Sequence, residues 1–224
     1  MSRARRFDLI AFDWDGTLFD STALIVRSIQ AAVRDVGGQV PSDEAASYVI
    51  GMGLMQALAH AAPDVPPEQH RALGDAYRRH YSASQNDISL FKGTLPMLAA
   101  LRERGHQLAV ATGKSRRGLD EVLARTVDGV VLNHFFEASR TADQTAGKPD
   151  PLMLHELMAE LDVPPERTLM IGDTTHDLGL ARNAGVASVG VSFGAHDHAS
   201  FAEFAPLCVA HSMAELHTWL IHNA

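Results

Sequence analysis

Short apolar segments alternate with helical patterns along most of this chain of 224 residues. The apolar segments predict β-strands at Leu9–Phe12, 107–111, 168–171, Ala187–Val191 and 207–210. Helical patterns lie between and after them, at 95–104, Arg116–Leu123, 151–161, 177–184 and 213–220. Such alternation is typical of a parallel sheet covered by helices on both faces. We therefore predict an α/β fold with a Rossmann-like, doubly wound parallel sheet.

One long interruption breaks the alternation after the first strand. Residues 19–87 contain successive helical patterns and no convincing strand, with helices predicted at 21–36, 42–50, Leu54–Ala61 and 67–81. Helices inserted at this point predict a small helical cap over the carboxyl edge of the sheet. The predicted organisation is a core of residues 1–18 and 88–224 and a cap of residues 19–87.

The first predicted strand ends in Asp13-Trp14-Asp15-Gly16-Thr17. Two carboxylates spaced i, i+2 on an extended segment point to the same side of the backbone. Their mutual repulsion has to be relieved by a cation or by a shared proton. An Asp-Gly turn is the simpler interpretation of this motif. The alternative is a carboxylate nucleophile with a metal ion and a nearby acid/base.

Other strand ends also carry polar chemistry, and parallel sheets bind ligands at the carboxyl ends of their strands. Thr112 and Gly113 follow one strand and precede a helix, which is a natural place for an anion. Asp173 and Asp177 follow another strand. Lys148 stands before a proline between these two segments. We expect these side chains to meet those of Asp13 and Asp15.

Composition excludes several classes of function. The formal net charge of −8 argues against a nucleic-acid-binding protein, which usually has a basic face. The single cysteine, Cys208, excludes an internal disulfide framework and fits a reducing compartment. Neither a secretion signal nor a membrane-spanning segment is apparent. We expect a cytoplasmic protein without a membrane partner, either a monomer or a homodimer.

The four motifs together resemble those of the haloacid dehalogenase-like hydrolase superfamily. They are Asp-x-Asp-Gly-Thr at Asp13, a threonine at Thr112, a lysine at Lys148 and Gly-Asp-x-x-x-Asp from Gly172 to Asp177. They occur in the family's order, each at a predicted strand end or loop, and the resemblance spans essentially the whole chain. The phosphoglycolate phosphatase-like branch is the most similar part of the superfamily.

The resemblance implies a role for each motif residue. Asp13 would be the nucleophile that forms an aspartyl-phosphate, and Asp15 would be the general acid and base. Mg²⁺ would be held by Asp13, Asp173 and the backbone carbonyl of Asp15, with Asp177 as an outer ligand or as a partner that orients Lys148. Transferring oxygens would be bound by Thr112, Lys148 and the N–H groups of Trp14, Asp15 and Gly113.

Substrate choice is expected to come from the predicted cap. The loop Gly51-Met52-Gly53 between two helices could reach the site, and Arg27 could pair with a carboxylate on the substrate. Other residues are expected to face solvent, namely Lys114, His176, His196 and His198. Thr17 is expected to orient Asp15 or to stabilise the turn.

The preferred function is a Mg²⁺-dependent phosphomonoester hydrolase acting on a small phosphorylated metabolite such as 2-phosphoglycolate. A phosphosugar mutase of the same superfamily is the enzymatic alternative, because it also keeps both acids. A phosphometabolite-binding module without catalysis is the alternative from another class. An intact nucleophile and acid argue against that module. Dehalogenase or phosphonate hydrolysis is disfavoured by Asp15 and by the absence of lysine from residues 19–87.

Overall fold

The computed structural model describes residues 5–85 and 88–224. A six-stranded sheet forms its centre, with strand order β5-β2-β1-β6-β7-β8 and parallel pairing throughout. The strands of this sheet are β1 (Leu9–Phe12), β2 (Gln107–Thr112), β5 (Ala138–Thr141), β6 (Thr168–Gly172), β7 (Ala187–Val191) and β8 (Val209–Ala210). A separate short hairpin pairs β3 (Thr126–Val127) with β4 (Val130–Val131). The predicted α/β doubly wound fold is confirmed.

Helices cover both faces of the sheet because its strands are apolar on both sides. One face packs in a cluster that includes Phe12, Leu101 and Leu216, and the other in a cluster that includes Ala11, Leu157 and Leu180. The helices that follow the insert are α5 (Thr94–Glu103), α6 (Arg116–Leu123), α7 (Leu152–Leu161), α8 (Thr175–Asn183) and α9 (Met213–Asn223). Short 3-10 helices lie at Leu132–Phe135, Pro165–Arg167 and His198–Phe204.

Between β1 and α5 the chain forms a helical insert, which we define as residues Thr22–Ser84. It contains α1 (Thr22–Asp35), α2 (Asp43–Tyr48), α3 (Leu54–Ala61), a 3-10 helix (Pro67–Gln69) and α4 (His70–Ser84). These helices bury their own apolar cluster, which includes Ile29, Leu58 and Leu73. The insert therefore packs around a cluster distinct from the two that flank the sheet.

Two β features of the structure were not predicted from the sequence, namely one strand of the sheet and one hairpin. The edge strand β5 was not predicted, because its sequence Ala-Ser-Arg-Thr has no apolar run. It pairs only with β2, and Arg140 turns outward to Glu156 and Glu160 on α7. The β3–β4 hairpin was also missed, since each of its strands has only two residues. In the described part of the chain, none of the helices combines the length and apolar character that a bilayer span requires.

Register places the predicted site residues at one edge of the sheet. Phe12 at the end of β1 lies opposite Val110 of β2 and Ile171 of β6. The residues that follow these three strands therefore emerge side by side. Lys148, in the loop before α7, is buried beside them.

Candidate active site

Asp13 follows β1 directly and lies at this edge of the sheet. Its carboxylate is buried, and Oδ1 accepts a hydrogen bond of 2.5 Å from Lys148 Nζ. Oδ2 is buried without a hydrogen-bond partner among the described residues. A buried carboxylate oxygen without a donor is costly unless a cation or a ligand lies next to it. Lys148 therefore holds Oδ1 of Asp13 in place, and Oδ2 is available to a cation or a ligand.

Lys148 joins two carboxylates of the site. Its buried ammonium lies 2.5 Å from Asp13 and 2.6 Å from Asp177 Oδ1. Burial acts to lower the pKa of Lys148, but the charges of Asp13 and Asp177 outweigh it and the pKa is raised. Lys148 is thus a fixed positive charge at any physiological pH.

Asp177 has both oxygens engaged by the protein. Oδ1 accepts from Lys148, whereas Oδ2 accepts from the backbone N–H of Thr174 at 3.1 Å and from its hydroxyl at 2.6 Å. Thr174 caps α8, and Asp177 completes the capping box. This geometry suits a residue that orients Lys148 better than one that binds a metal ion directly.

Asp173 follows β6 and is held from several sides. Thr17 Oγ1 donates to Oδ1 at 2.8 Å, and the backbone N–H of Ala195 donates to Oδ2 at 2.7 Å. Thr17 therefore orients Asp173 rather than Asp15, which was one of the two roles predicted for it. Burial, followed by the neighbouring charge of Asp177, raises the pKa of Asp173 to about 7.

Two glycines allow Asp173 to occupy this position. A Cβ atom built on Gly16 or on Gly194 would lie 2.1 Å from Asp173 Oδ2. Gly16 also has a φ of 84°, in the left-handed region that the turn after Asp15 requires. Any side chain at either glycine would displace the Asp173 carboxylate.

The three aspartates form a cluster that fits a divalent cation. Carboxylate oxygens of Asp13, Asp173 and Asp177 lie within 4.8 Å of one another. Burial raises the pKa of Asp13 well above its usual range, and the charges of Asp177 and Asp173 add to this against the opposing charge of Lys148. An oxygen donor set with excess negative charge and an Asp13 oxygen without a hydrogen-bond donor suits a hard divalent cation.

Asp15 lies two residues after Asp13 and faces a different set of partners. Ser21 Oγ donates to Oδ1 at 2.7 Å, and Lys114 Nζ lies 3.0 Å from Oδ2. The Lys114 ammonium also donates to the hydroxyl of Tyr81, on α4 of the insert, at 3.0 Å. Lys114 was predicted to lie at the surface, and this prediction is wrong.

Most of the Lys114 side chain is buried, with 11% of its surface exposed, because its charge has partners. Burial acts to lower the pKa of its ammonium, but the carboxylate of Asp15 and the hydroxyls of Tyr81 and Tyr77 outweigh it, so the pKa is raised. One feature of the sequence points to this position of Lys114, namely that it follows Thr112 by two residues at the end of β2. No feature of the sequence indicated that Tyr81 lies next to Lys114, since this contact depends on how the insert packs against the core.

Of the remaining residues predicted to contact phosphate, Thr112 and Gly113 line the same cavity as Asp13 and Asp15. Thr112 ends β2 and is buried, and its hydroxyl accepts from the Lys114 N–H at 3.2 Å. Trp14 lies between the two acids with its ring stacked on Phe19 at 5.1 Å. A Cβ on Gly113 would lie 2.4 Å from the Met52 carbonyl oxygen and 2.6 Å from that of Gly51.

The loop Gly51-Met52-Gly53 therefore lies directly on the core. The hypothetical Cβ of Gly51 meets Thr174 Oγ1 at 3.1 Å, and that of Gly53 meets Ala142 Cβ at 3.2 Å. Arg27, by contrast, is exposed and is not among the residues that line the cavity above Asp13. The predicted pairing of Arg27 with a substrate carboxylate is not supported by this position.

Two histidines that were expected to face solvent are buried instead. The Nε2 atoms of His176 and His196 both donate to the Tyr48 carbonyl of α2, at 2.8 and 3.0 Å. His196 Nδ1 accepts from the Thr175 N–H at 3.1 Å. Burial lowers the pKa of both rings, so they are neutral and join the insert to the core. The expectation of a surface position holds for His198.

Comparison with known proteins agrees with the fold and the motifs. Residues 10–191 match the model of the haloacid dehalogenase-like hydrolase family, and the chain belongs to this family. The predicted resemblance is thereby confirmed.

The relatives include a protein named a kinase and a protein named a phosphatase. The chain is 37% identical over 194 residues to tyrosine-protein kinase PtkA of Mycobacterium tuberculosis, covering 83% of this chain but 62% of the kinase. It is 30% identical over 217 residues to phosphoglycolate phosphatase of Vibrio vulnificus, covering 93% of each protein. The second match supports the predicted phosphoglycolate phosphatase-like branch.

A solved structure has the same architecture. It is of a protein described as a predicted phosphoglycolate phosphatase from Haemophilus somnus, with a TM-score of 0.83 and 25% identity. The match covers 96% of this chain and 99% of that one.

Proposed function

We propose that the protein is a Mg²⁺-dependent phosphomonoesterase that acts on a small phosphorylated metabolite through an aspartyl-phosphate. The observation that carries this proposal is the buried cluster of Asp13, Lys148, Asp173 and Asp177 at the strand ends, with Asp15 beside it. A relative named phosphoglycolate phosphatase matches along 93% of the chain, which makes 2-phosphoglycolate the reference substrate. The single free cysteine, Cys208, supports action in a reducing compartment such as the cytoplasm.

The Asp13 carboxylate attacks phosphorus, and the bond from phosphorus to the leaving oxygen breaks. Asp15 gives that oxygen a proton and later takes one from the water that attacks the aspartyl-phosphate. The Ser21 hydroxyl and the Lys114 ammonium support this role, because they hold the Asp15 carboxylate in one orientation.

Lys148, Thr112 and the N–H groups after Asp13 and Thr112 are placed to bind the oxygens of the transferring group. Mg²⁺ would be held by Asp13, Asp173 and the carbonyl of Asp15. When bound, it would lower the repulsion between Asp13 and the phosphate and stabilise charge in the transition state.

We further propose that the helical insert is a cap that encloses the site, with boundaries near residue 19 and residue 87, the second of which lies outside the described residues. Its separate apolar cluster supports this division. The contacts of the Gly51–Met52 loop with Gly113 and of Tyr81 with Lys114 support closure over the site. A closed cap excludes water until the leaving group departs.

Phosphate release from a panel of esters tests the proposal. The panel contains 2-phosphoglycolate, sugar phosphates, nucleotides and p-nitrophenyl phosphate, each with Mg²⁺ and with EDTA. We expect release from at least one ester that requires Mg²⁺. Absence of release from every ester would contradict the proposal.

Transfer to an acceptor other than water is the second candidate. It is favoured by the 37% identity to a protein named a tyrosine kinase, although this chain spans only 62% of that protein. Labelled substrate separates the two candidates. Label in inorganic phosphate indicates hydrolysis, whereas label in a sugar or on tyrosine indicates transfer.

A further inference from the structure

A chamber of about 540 Å³ opens above Asp13 and Asp15 and continues into the helical insert. At roughly 30 Å³ for each water molecule, this volume corresponds to about 18 waters. The glycolate part of 2-phosphoglycolate is a two-carbon acid and would leave most of the chamber unfilled. The volume therefore indicates a larger leaving group.

The inner wall of this leaving-group chamber is apolar. It is formed by side chains from α1, α3 and the segment between α2 and α3, and the rings of Tyr77 and Tyr81 stack 5.8 Å apart at one side. The aliphatic members of the wall are Ile25, Ile29, Val49, Ile50, Leu54 and Leu58. Such a wall favours apolar atoms, because each buried methylene is worth about 0.8 kcal/mol.

The cations that line the chamber already have anionic partners. Lys114 lies 3.0 Å from Asp15 Oδ2. The arginines at the rim are each paired at 3.0 to 3.3 Å, Arg78 with Asp75, Arg79 with Asp35 and Arg117 with Glu121. The side chains of these three arginines are 57% to 90% exposed, so they lie in solvent at the rim. Among the described lining residues, Lys114 is thus the one cation on the inner wall, and it is already paired with Asp15.

We propose that the substrate is a phosphate monoester whose leaving group has an uncharged, predominantly apolar body that fills this chamber. This inference rests on the proposed function and names its substrate class. The phosphate would lie against Asp13 and Lys148, and the ester oxygen would lie next to Asp15. The body would then extend along the wall that contains Ile25 and Leu58.

A series of n-alkyl phosphates tests the inference. Ethyl, butyl and hexyl phosphate release primary alcohols of similar acidity, so the chemical step is nearly constant and only the apolar body changes. We expect kcat/KM with Mg²⁺ to rise with chain length, by at most about fourfold for each methylene, the value for complete burial. We also expect kcat/KM for hexyl phosphate to be higher than kcat/KM for 2-phosphoglycolate. A flat or falling series, or 2-phosphoglycolate as the best substrate, would overturn the inference.

Two neighbouring residues on α1 provide matched variants. Ile25 and Val26 are similarly buried, with 7% and 8% of their surface exposed, but Ile25 lines the chamber and Val26 does not. Ile25→Ala is expected to lower the ratio of kcat/KM for hexyl over ethyl phosphate several-fold, whereas Val26→Ala leaves it unchanged. The ratio is independent of the amount of folded enzyme. An equal fall in both variants would contradict the chamber.

The proposed function and the apolar leaving group are contradicted by different results. No phosphate from any ester, including p-nitrophenyl phosphate, overturns the proposed function and this inference with it. Phosphate release whose kcat/KM does not change with the length of the alkyl chain overturns only the inference about the leaving group, and the proposed function stands. Should both variants fail to fold, the wild-type series still decides.

Discussion

Lys114 Nζ lies 3.0 Å from Asp15 Oδ2, and the same ammonium donates to the Tyr81 hydroxyl on the helical insert. One side chain of the core thus contacts both the proposed acid and the proposed cap. Because the side chains of Lys114 and Asp15 are only 11% and 12% exposed, their pair is screened less than an exposed ion pair. The orientation of Asp15 and the closure of the insert are therefore linked through this residue.

Lys114→Met is expected to lower kcat/KM by roughly 10- to 100-fold, the effect of losing one charge-assisted hydrogen bond. The fall should appear mainly in kcat if Lys114 positions Asp15. Steady-state kinetics on the best ester measures both constants. Lys92→Met is the control, because Lys92 is exposed. An unchanged kcat would remove Lys114 from the proposed positioning of Asp15.

Asp13→Asn is expected to reduce phosphate release by roughly 10³-fold or more, as for other lost nucleophiles. The variant should remain folded, since an amide fits the same space and its oxygen can still accept from Lys148. Asp20→Asn is the control, because it makes the same substitution at an exposed position. Near wild-type activity in Asp13→Asn would overturn the nucleophile assignment.

Stability should depend on pH through Asp173, whose pKa is raised from 3.8 to about 7 by burial first of all. The folded protein keeps this proton up to about pH 7, whereas the unfolded chain loses it near pH 4. Folding therefore takes up a proton in this window, and the contribution of Asp173 to the free energy of unfolding decreases as pH rises through it. Thermal melts in EDTA across this range measure the effect.

Mg²⁺ should stabilise the protein more at about pH 8 than at about pH 5.5, because protons and the cation compete for Asp173. At a hundredfold excess over Kd the expected gain is about 2.7 kcal/mol. Thermal melts with and without Mg²⁺ at the two pH values test this. Asp173→Asn should abolish the gain and Asp20→Asn should retain it. A gain that is equal at both pH values would contradict competition at Asp173.

Gly113→Ala should disturb the contact between the core and the Gly51–Met52 loop, because its Cβ would lie 2.4 Å from the Met52 carbonyl oxygen. We expect a several-fold rise in KM with a smaller change in melting temperature, since the loop can move outward. Kinetics on the best ester and a thermal melt measure the two effects. A KM equal to that of the wild-type protein would show that the loop does not affect substrate binding.

Much of the core was predictable because strand ends in a parallel sheet share one edge. The sequence positions of Asp13, Thr112 and Asp173 after apolar runs were sufficient to place them together. The edge strand β5 escaped prediction because one of its sides has no neighbouring strand, so polar residues such as Arg140 are tolerated there.

The parts that could not be predicted depend on distant partners. His176 was expected to face solvent because nothing near it in the sequence reveals that its ring meets the Tyr48 carbonyl. Lys114 appeared to be a surface lysine for the same reason, since Asp15 and Tyr81 lie far from it along the chain. A buried polar side chain is only predictable when its partners are.

Gly16 and Gly194 have a consequence for how this sequence can change over time. Each stands where a single added carbon would lie 2.1 Å from Asp173 Oδ2, although neither has a side chain that could take part in the chemistry. A saturation mutagenesis scan should therefore find these two positions among the least tolerant in the chain. Residues of the leaving-group chamber, by contrast, can exchange one apolar shape for another. New substrates can thus arise by drift in the insert, while the glycines keep the chemistry fixed.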